Sequence, residues 1–542
     1  MKLFLSRVSL RGLFFTFLAL LGALYLLNFY GVLQHPALSG ALPSSSRTDP
    51  SDASSEQAAH GIFRGDAGKP GYLSQDNFRR QSAVRDAMKH AWAGYRQYAF
   101  GKDEYQPLTR TYNQKWGDWA ITLVDSLDTM KIMNMDEEYE EAKKFVAKMD
   151  FTRAAPGYQT MVFEMTIRAL GGLLGAYELD NDPMLLQKAK QVGDVLSIAF
   201  NTPTGLPTSR VDVNSKEQVL GAYLCIAEGG TLQLEFQKLS QLTKDPKYQK
   251  LADRAGEALE KGRRKHKGLY PAYINIYSGE YVAQSDLSVG AMSDSFYEYQ
   301  LKQYILSNRK VKKFKTQYIT SSEAVKSRLV GKSKQSDLKF IGRWTDSGTQ
   351  FVREMEHLAC FYPGLLALGA HVLDRPQDLV MAEELTRTCY LSYKLSPTGL
   401  GPEKFEFPLN VRSPPAVQPP YLASLYETNE LGFRATDPRY ILRPETLESI
   451  FVLYRVTGDS KYQDWGWDIF MAIEKYTKTH YGYAAYANVN NVTAEANWED
   501  SMESFFLAET LKYMYLLFSP MDTISLDEYV LNTEAHPFKI IK

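Results

Sequence analysis

The chain has 542 residues, 44% of them hydrophobic and 13% aromatic, enough for one very large domain or two to three ordinary ones. Its formal net charge of −1 excludes the basic footprint of a nucleic-acid binder. Its 35 Tyr and 27 Phe are compatible with stacking on sugars, although such residues first of all fill a large core.

In chain order, Lys2, Arg7 and Arg11 precede an apolar run over 13–33 that only Asn28 interrupts. A run of some twenty apolar residues can span a bilayer, and the basic side of such a span stays in the cytoplasm. The reading is a cytoplasmic tail at 1–12 and a transmembrane signal-anchor at 13–33, with the remainder in the secretory lumen. A cleaved signal peptide is the other reading; the length of the run and the lack of a small-residue cleavage site favour the anchor. Residues 34–76 are rich in Ser, Pro, Gly, Ala and Asp, the composition of a luminal stem. The ordered domain is expected over 77–542.

From Arg80 onward helical periodicity dominates, so the class is all-α. One design then repeats seven times: an acidic start followed by an apolar helix, at 119–130, 163–179, 228–245, 293–305, 354–370, 442–459 and 502–518. The spacing is regular: 64 residues from Glu164 to Glu228, 66 to Asp294, 63 to His357, and 64 from Glu445 to Glu509. The step of 88 from His357 to Glu445 implies an insertion. More polar amphipathic helices such as 183–199 and 376–393 lie between. In 442–459, Pro444 suits a first helical turn, Glu445 and Glu448 share one side of it, and Gly458 and Asp459 end it. Alternating buried and amphipathic helices fit a closed ring with the acids inside; a stacked solenoid is the alternative.

If the acidic starts converge, one end of the ring collects Glu164, Glu228, Asp294, Glu298, Glu403, Glu445, Glu448, Glu503 and Glu509. That many carboxylates require raised pKa values, paired cations or a metal. Arg168, Arg443 and His357 are the cations at hand. Carboxylates beside Phe361, Phe505 and Phe506 suit glycoside hydrolysis, which needs one acid and one base or nucleophile. A hard, oxygen-ligated ion such as calcium suits this ligand set. The basic stretches 263–267 and 309–315 read as solvated loops, and 308–340 and 407–431 as loops or decoration of a substrate rim. Of three cysteines, Cys225 sits in the apolar run 222–226 and reads as a buried thiol, which leaves Cys360 and Cys389 as the disulfide pair. Asn491-Val492-Thr493 is a glycosylation sequon.

Long motifs then carry a resemblance: HAWAGYRQYAFGKDE (90–104), DSLDTM (125–130), FEMTIRALGGLLGAY (163–177), LQLEFQKLSQLTKD (232–245), DSFYEY (294–299), HLACFYPGLLALGA (357–370), RPETLES (443–449), MESFFLAETLKY (502–513) and NTEAHP (532–537). The chain resembles the class I α-1,2-mannosidases of glycoside hydrolase family 47 from about Arg80 to Pro537. The resemblance implies an (αα)7 barrel that removes terminal α-1,2-linked mannose from high-mannose N-glycans with inversion, as a monomeric catalytic domain with bound calcium. It matches Glu164 to the proton donor, Asp294 and Glu403 to further catalytic carboxylates, and Glu445 to the base that activates water. Arg168, Glu228, His357, Arg443, Phe505 and Glu509 match residues around the sugar. Thr533 matches the direct protein ligand of calcium, with Glu448, Glu503 and Glu534 holding its water shell. Cys360 and Cys389 match the family's disulfide, and the C-terminal segment is expected to plug the barrel.

One position departs from the pattern. Relatives of the endoplasmic reticulum type carry Arg two residues before the catalytic Asp; here that residue is Met292. Its absence leaves both the branch specificity and the choice between endoplasmic reticulum and Golgi open. The competing reading is a mannosidase-like lectin that delivers misfolded glycoproteins to degradation; the paired cysteines favour the processing enzyme.

Overall fold

The first described helix, Gln75–Tyr98, begins where the Ser74 side chain accepts a hydrogen bond from the Asn77 amide at 3.1 Å. Such a cap satisfies one of the donors a helix start leaves orphaned. The structure, a computed structural model, describes residues 73–261, 267–345, 348–409 and 431–542. The expected cytoplasmic tail and anchor, nearly all of the expected stem, and most of 407–431 lie outside them. Among the described residues no helix is long and apolar enough to cross a membrane.

Seven inner helices form a ring. They are Ile121–Asp125 continued by Leu127–Ile132, Gly171–Asp180, Gln233–Thr243, Asp294–Leu306, Tyr362–Leu373, Glu445–Thr457 and Leu511–Leu517. Each packs on the next, and the turn Phe506–Thr510 that leads into the last packs on Leu127–Ile132 of the first, so the ring closes and the solenoid is excluded. Six outer helices, Asp136–Val146, Pro183–Leu196, Pro246–Glu260, Lys312–Arg328, Pro376–Lys394 and Lys461–Tyr476, each pack on the inner helix that precedes them. Gln75–Tyr98 covers the last inner helix and completes the seventh pair, the arrangement of an (αα)7 barrel. Burial follows the sequence pattern. The inner helix Asp294–Leu306 is buried on every side from Ser295 to Leu306. The outer helix Pro246–Glu260 buries one stripe: Tyr248, Ala252, Ala255, Ala258 and Leu259.

All seven repeated segments coincide with inner helices, though few are unbroken. The fifth opens as a strand, Glu354–Glu356, and a 3₁₀ turn, His357–Phe361, before the helix starts. The second and seventh pass through π-helical turns, Met165–Leu170 and Phe506–Thr510. Pro444 lies just before the helix Glu445–Thr457 and not in its first turn, while Gly458, at φ 71°, closes it as expected. The segment 308–340 is not a simple loop. It is the outer helix Lys312–Arg328 followed by the ribbon Val330–Lys332 with Lys339–Ile341, so the basic stretch at 312–315 forms a helix start.

The two ends of the barrel differ. Inner helices lead to outer ones through brief turns, such as the two residues between Asp180 and Pro183. Outer helices lead back through long connections that carry every short antiparallel ribbon of the described residues except the last. The N-termini of the inner helices, with their unsatisfied N–H groups and positive dipole ends, therefore meet at the long-loop end.

The remaining ribbon, Tyr529–Leu531 with Pro537–Lys539, enters the barrel from the short-turn end, where Ile541 N–H donates to the Leu306 carbonyl at 3.0 Å. Its turn is fully buried at Asn532 and His536. His536 bonds Asp128 at 2.9 Å and Asp125 at 3.0 Å, Asn532 donates to Glu235 at 2.8 Å and to the Ile167 carbonyl at 3.1 Å, and Lys512 donates to the Ala535 carbonyl at 2.9 Å. Two glycines admit the hairpin: a Cβ at Gly171 would lie 2.7 Å from the Asn532 amide, and one at Gly175 2.9 Å from Asp128. The expected C-terminal plug is thus a hairpin hydrogen-bonded to five of the inner segments.

Candidate active site

Three inner helices at the long-loop end follow a non-glycine residue in the left-handed region: Ala120 at φ 50°, Met292 at 71° and Leu442 at 68°. Such a backbone costs about 1–2 kcal/mol per residue and persists only where packing imposes it. At Met292 and Leu442 it turns the chain sharply, so that Asp294, Arg443 and Glu445 stand at the helix entrances.

Those entrances surround a cavity of about 360 Å³, within the range of small-ligand pockets. Of the residues expected at the site, Glu164, Arg168, Glu228, Asp294, Arg443, Glu445, Glu448, Phe505, Glu509, Thr533 and Glu534 line it, with Met292 and Glu298. His357, Glu403 and Glu503 do not. The His357 ring is 1% exposed; its Nδ1 lies 2.7 Å from Glu445 and its Nε2 2.6 Å from the Tyr393 hydroxyl. Glu403 accepts both of its bonds from Arg443 Nε, at 2.8 and 2.9 Å. Glu503 pairs with Lys115 at 2.8 Å. Each of the three is bonded to a neighbour at the cavity's edge. Nor do all the acidic starts converge. Asp125 and Asp128 of the first segment bind His536 of the hairpin, and Glu354 pairs with Arg343 at 3.4 Å.

Two arginines organise the walls. Arg168 donates from Nε to Glu164 at 2.9 Å and from Nη1 to Ser504 at 3.0 Å, and its Nη1 also pairs closely with Glu534. Arg443 lies 3.8 Å from Glu445. Both guanidiniums sit 5.7 Å from the centre of the Phe505 ring, whose orientation they fix.

The carboxyls are separated electrostatically. Burial pushes Glu445 upward, but the His357 hydrogen bond and the Arg443 charge outweigh it and hold the group below its ordinary value. Asp294 is pushed up to about 7 by burial, with the charges of Glu298 and Glu445 adding to it. Glu448 rises to about 8 through burial, against the pull of Lys302. Glu534 rises to about 8 and Glu509 well above the usual range, again through burial first. Beneath them Glu235, buried and bonded to Asn532, rises to about 7. The cavity therefore holds more carboxyl groups than its cations neutralise. Thr533, at the tip of the hairpin, lines the same cavity as Glu448, Glu509 and Glu534. Among the described residues no three His, Cys, Asp or Glu side chains form a ready cage for a metal. The set of Thr oxygen and surplus carboxyls fits a hard divalent ion held largely through water.

Lys302, Lys512, His536 and Glu235 escaped the sequence reading. Only Lys302, four residues after Glu298, carried a local signal, and it forms a close ion pair with that residue. Cys360 and Cys389 form the expected disulfide, with Cα atoms 6.0 Å apart. It ties the turn that carries His357 to the outer helix Pro376–Lys394. Cys225 is a buried free thiol on the cavity wall. Asn491 lies on an exposed turn, open to modification.

The sequence model of glycosyl hydrolase family 47 matches residues 87–540. The chain is 42% identical to mannosyl-oligosaccharide 1,2-alpha-mannosidase MNS1 of Arabidopsis thaliana over 477 residues, 86% of this chain and 79% of that one. It is 40% identical to the human endoplasmic reticulum mannosyl-oligosaccharide 1,2-alpha-mannosidase over 468 residues, 85% of this chain and 64% of that one. The structure superposes on the alpha-1,2-mannosidase from Trichoderma reesei with a TM-score of 0.79 at 30% identity, covering 88% of this chain and all of that one.

Proposed function

Because this chain belongs to glycosyl hydrolase family 47, we propose that it is an exo-α-1,2-mannosidase that trims terminal α-1,2-linked mannose from high-mannose N-glycans of glycoproteins. The observation that carries this reading is one cavity lined by both Glu445, which His357 and Arg443 hold below its ordinary value, and Asp294, which burial pushes up to about 7. Hydrolysis with inversion needs a charged base and an acid that keeps its proton. Glu445 takes a proton from a water molecule as the water oxygen bonds to the anomeric carbon. The glycosidic C–O bond breaks, and a proton passes to the departing oxygen. Resemblance assigns this proton to Glu164, acting through water. The surroundings favour Asp294 instead, because burial pushes its carboxyl up to about 7, whereas Glu164 is engaged by Arg168 Nε at 2.9 Å. Arg443 and His357 keep the base charged and oriented, and Glu403 in turn fixes Arg443. Phe505 offers an apolar face to the sugar ring.

Thr533 would hold a calcium ion directly, with Glu448, Glu503 and Glu534 acting on its water shell. Bound there, the ion would supply positive charge to a carboxyl-rich site. The enzyme is placed in the endoplasmic reticulum or Golgi membrane as a type II protein, anchored by 13–33 with a monomeric catalytic domain in the lumen. Relatives named for the endoplasmic reticulum support a place in the secretory pathway. A glycan-binding lectin would have no use for a charged base and a protonated acid in the same cavity. The test is mannose release from a high-mannose N-glycan with and without a calcium chelator. Activity that the chelator abolishes, and that Glu445→Gln lowers by about 10²–10⁴, is expected. Unchanged turnover in either arm refutes the mechanism.

A further inference from the structure

The two-stranded ribbon Tyr223–Cys225 with Tyr273–Asn275 forms part of the cavity wall and continues beyond it. Its register pairs Tyr223 with Asn275, Leu224 with Ile274, and Cys225 with Tyr273. Side chains alternate across a strand, so Leu224 and Ile274 share one face, and both are buried in the core. Tyr223, Cys225, Tyr273 and Asn275 share the other. Cys225 lines the cavity, and Tyr273 is its direct cross-strand neighbour, close enough to feel the charge of Glu228 on the same wall.

Large aromatic side chains that face water need a reason when they cluster beside a binding site. Tyr223 is 58% exposed and Tyr273 39%, and Leu220, just before the ribbon, is 80% exposed. Met292, 49% exposed and held in a left-handed conformation, extends this apolar strip along the cavity wall. From Cys225 at the cavity, Tyr273 and Tyr223 thus follow one another along the outward face of the ribbon. Its occupant must have apolar faces and hydroxyl edges, because each Tyr presents a flat ring with a hydroxyl at its rim.

We propose that Tyr223 and Tyr273 form a sugar-stacking subsite that receives mannose units of the glycan lying beyond the bond to be cut. This rests on the reading of the cavity as a mannosidase site. The ribbon contributes nothing to the cleavage itself. It adds affinity for branched oligosaccharides over short ones. The residues act on substrate binding, so their loss shows as a difference between substrates of different size and not as a loss of the chemistry.

The experiment compares kcat/KM on a purified high-mannose N-glycan with that on methyl α-1,2-mannobioside, for the wild-type enzyme, Tyr223→Ala/Tyr273→Ala and Tyr223→Phe/Tyr273→Phe. With each ring worth roughly a factor of three, the double alanine variant loses about tenfold on the N-glycan. It stays within about twofold on the disaccharide, and the phenylalanine pair recovers most of the loss. An equal loss on both substrates, or no loss on the N-glycan, overturns the subsite. A wild-type enzyme that cleaves neither substrate refutes the mannosidase reading instead, so the two failures are distinguishable.

Discussion

Replacing His357 by Phe isolates the control that the fold exerts on Glu445. Phe keeps the ring volume of a side chain that is 1% exposed, so packing against Tyr393 is largely preserved. It deletes the 2.7 Å bond to Glu445 and the 2.6 Å bond to the Tyr393 hydroxyl. A hydrogen bond to a buried charged group is worth about 1.5–3 kcal/mol. If that stabilisation maintains the charged base through the transition state, kcat/KM at the pH optimum falls by about 10- to 150-fold. The sign of the pH effect follows from the same bond. Glu445 lies below its ordinary value because His357 and Arg443 outweigh burial. Without His357, burial is opposed only by the Arg443 charge and a backbone hydrogen bond, so the carboxyl holds its proton to higher pH and the acid limb of the kcat/KM profile moves upward. The assay is mannose release across pH 4–8, with thermal melting recorded in parallel. An acid limb that stays in place, with the variant folded, would mean that His357 does not set the state of Glu445.

Other outcomes follow from the fold. Replacing Cys360 and Cys389 by Ser opens a 29-residue link between two buried sites and is expected to cost about 3–4 kcal/mol of stability, measured as a lower urea midpoint. The plug predicts a stability plateau. Asp128 is lowered because Lys512 and His536 outweigh burial, so its contribution is complete above the ordinary Asp value and fades as pH falls through the folded one. His536 is raised because Asp128 and Asp125 outweigh burial, so its contribution is complete below the ordinary His value and fades as pH rises through the folded one. The wild-type minus His536→Gln difference in denaturation midpoint, which cancels the raised carboxyls of the cavity, should therefore be level between about pH 4 and 6.5 and shrink on either side. Met292→Arg introduces a charge at a cavity-lining position and should narrow the set of mannoses removed; an identical product ladder would show that this side chain does not govern branch choice.

Local sequence was enough to fix the helical repeat. An apolar helix behind an acidic start, recurring at nearly constant spacing, fits a ring or a stacked solenoid, and the long motifs pointed to the family; the packing of the last segment on the first decided for the ring. Glu445 and Glu448 could be assigned to one helix start because i and i+3 share a side of a turn. Cys360 and Cys389 could be paired for similarly local reasons. What one-dimensional pattern could not decide was which acids meet. Asp125 and Asp128 look like their sister acids in the sequence, yet they bind His536, more than four hundred residues away, because the hairpin occupies the barrel beneath them. Glu403 and His357 are expected beside the sugar, and only the tertiary structure shows that they bond to Arg443 and Glu445. The charge states of Asp294 and Glu445 are likewise a tertiary property. Both are buried carboxyls, and only the cations and hydrogen bonds brought to each by distant segments drive one toward its proton and the other away from it.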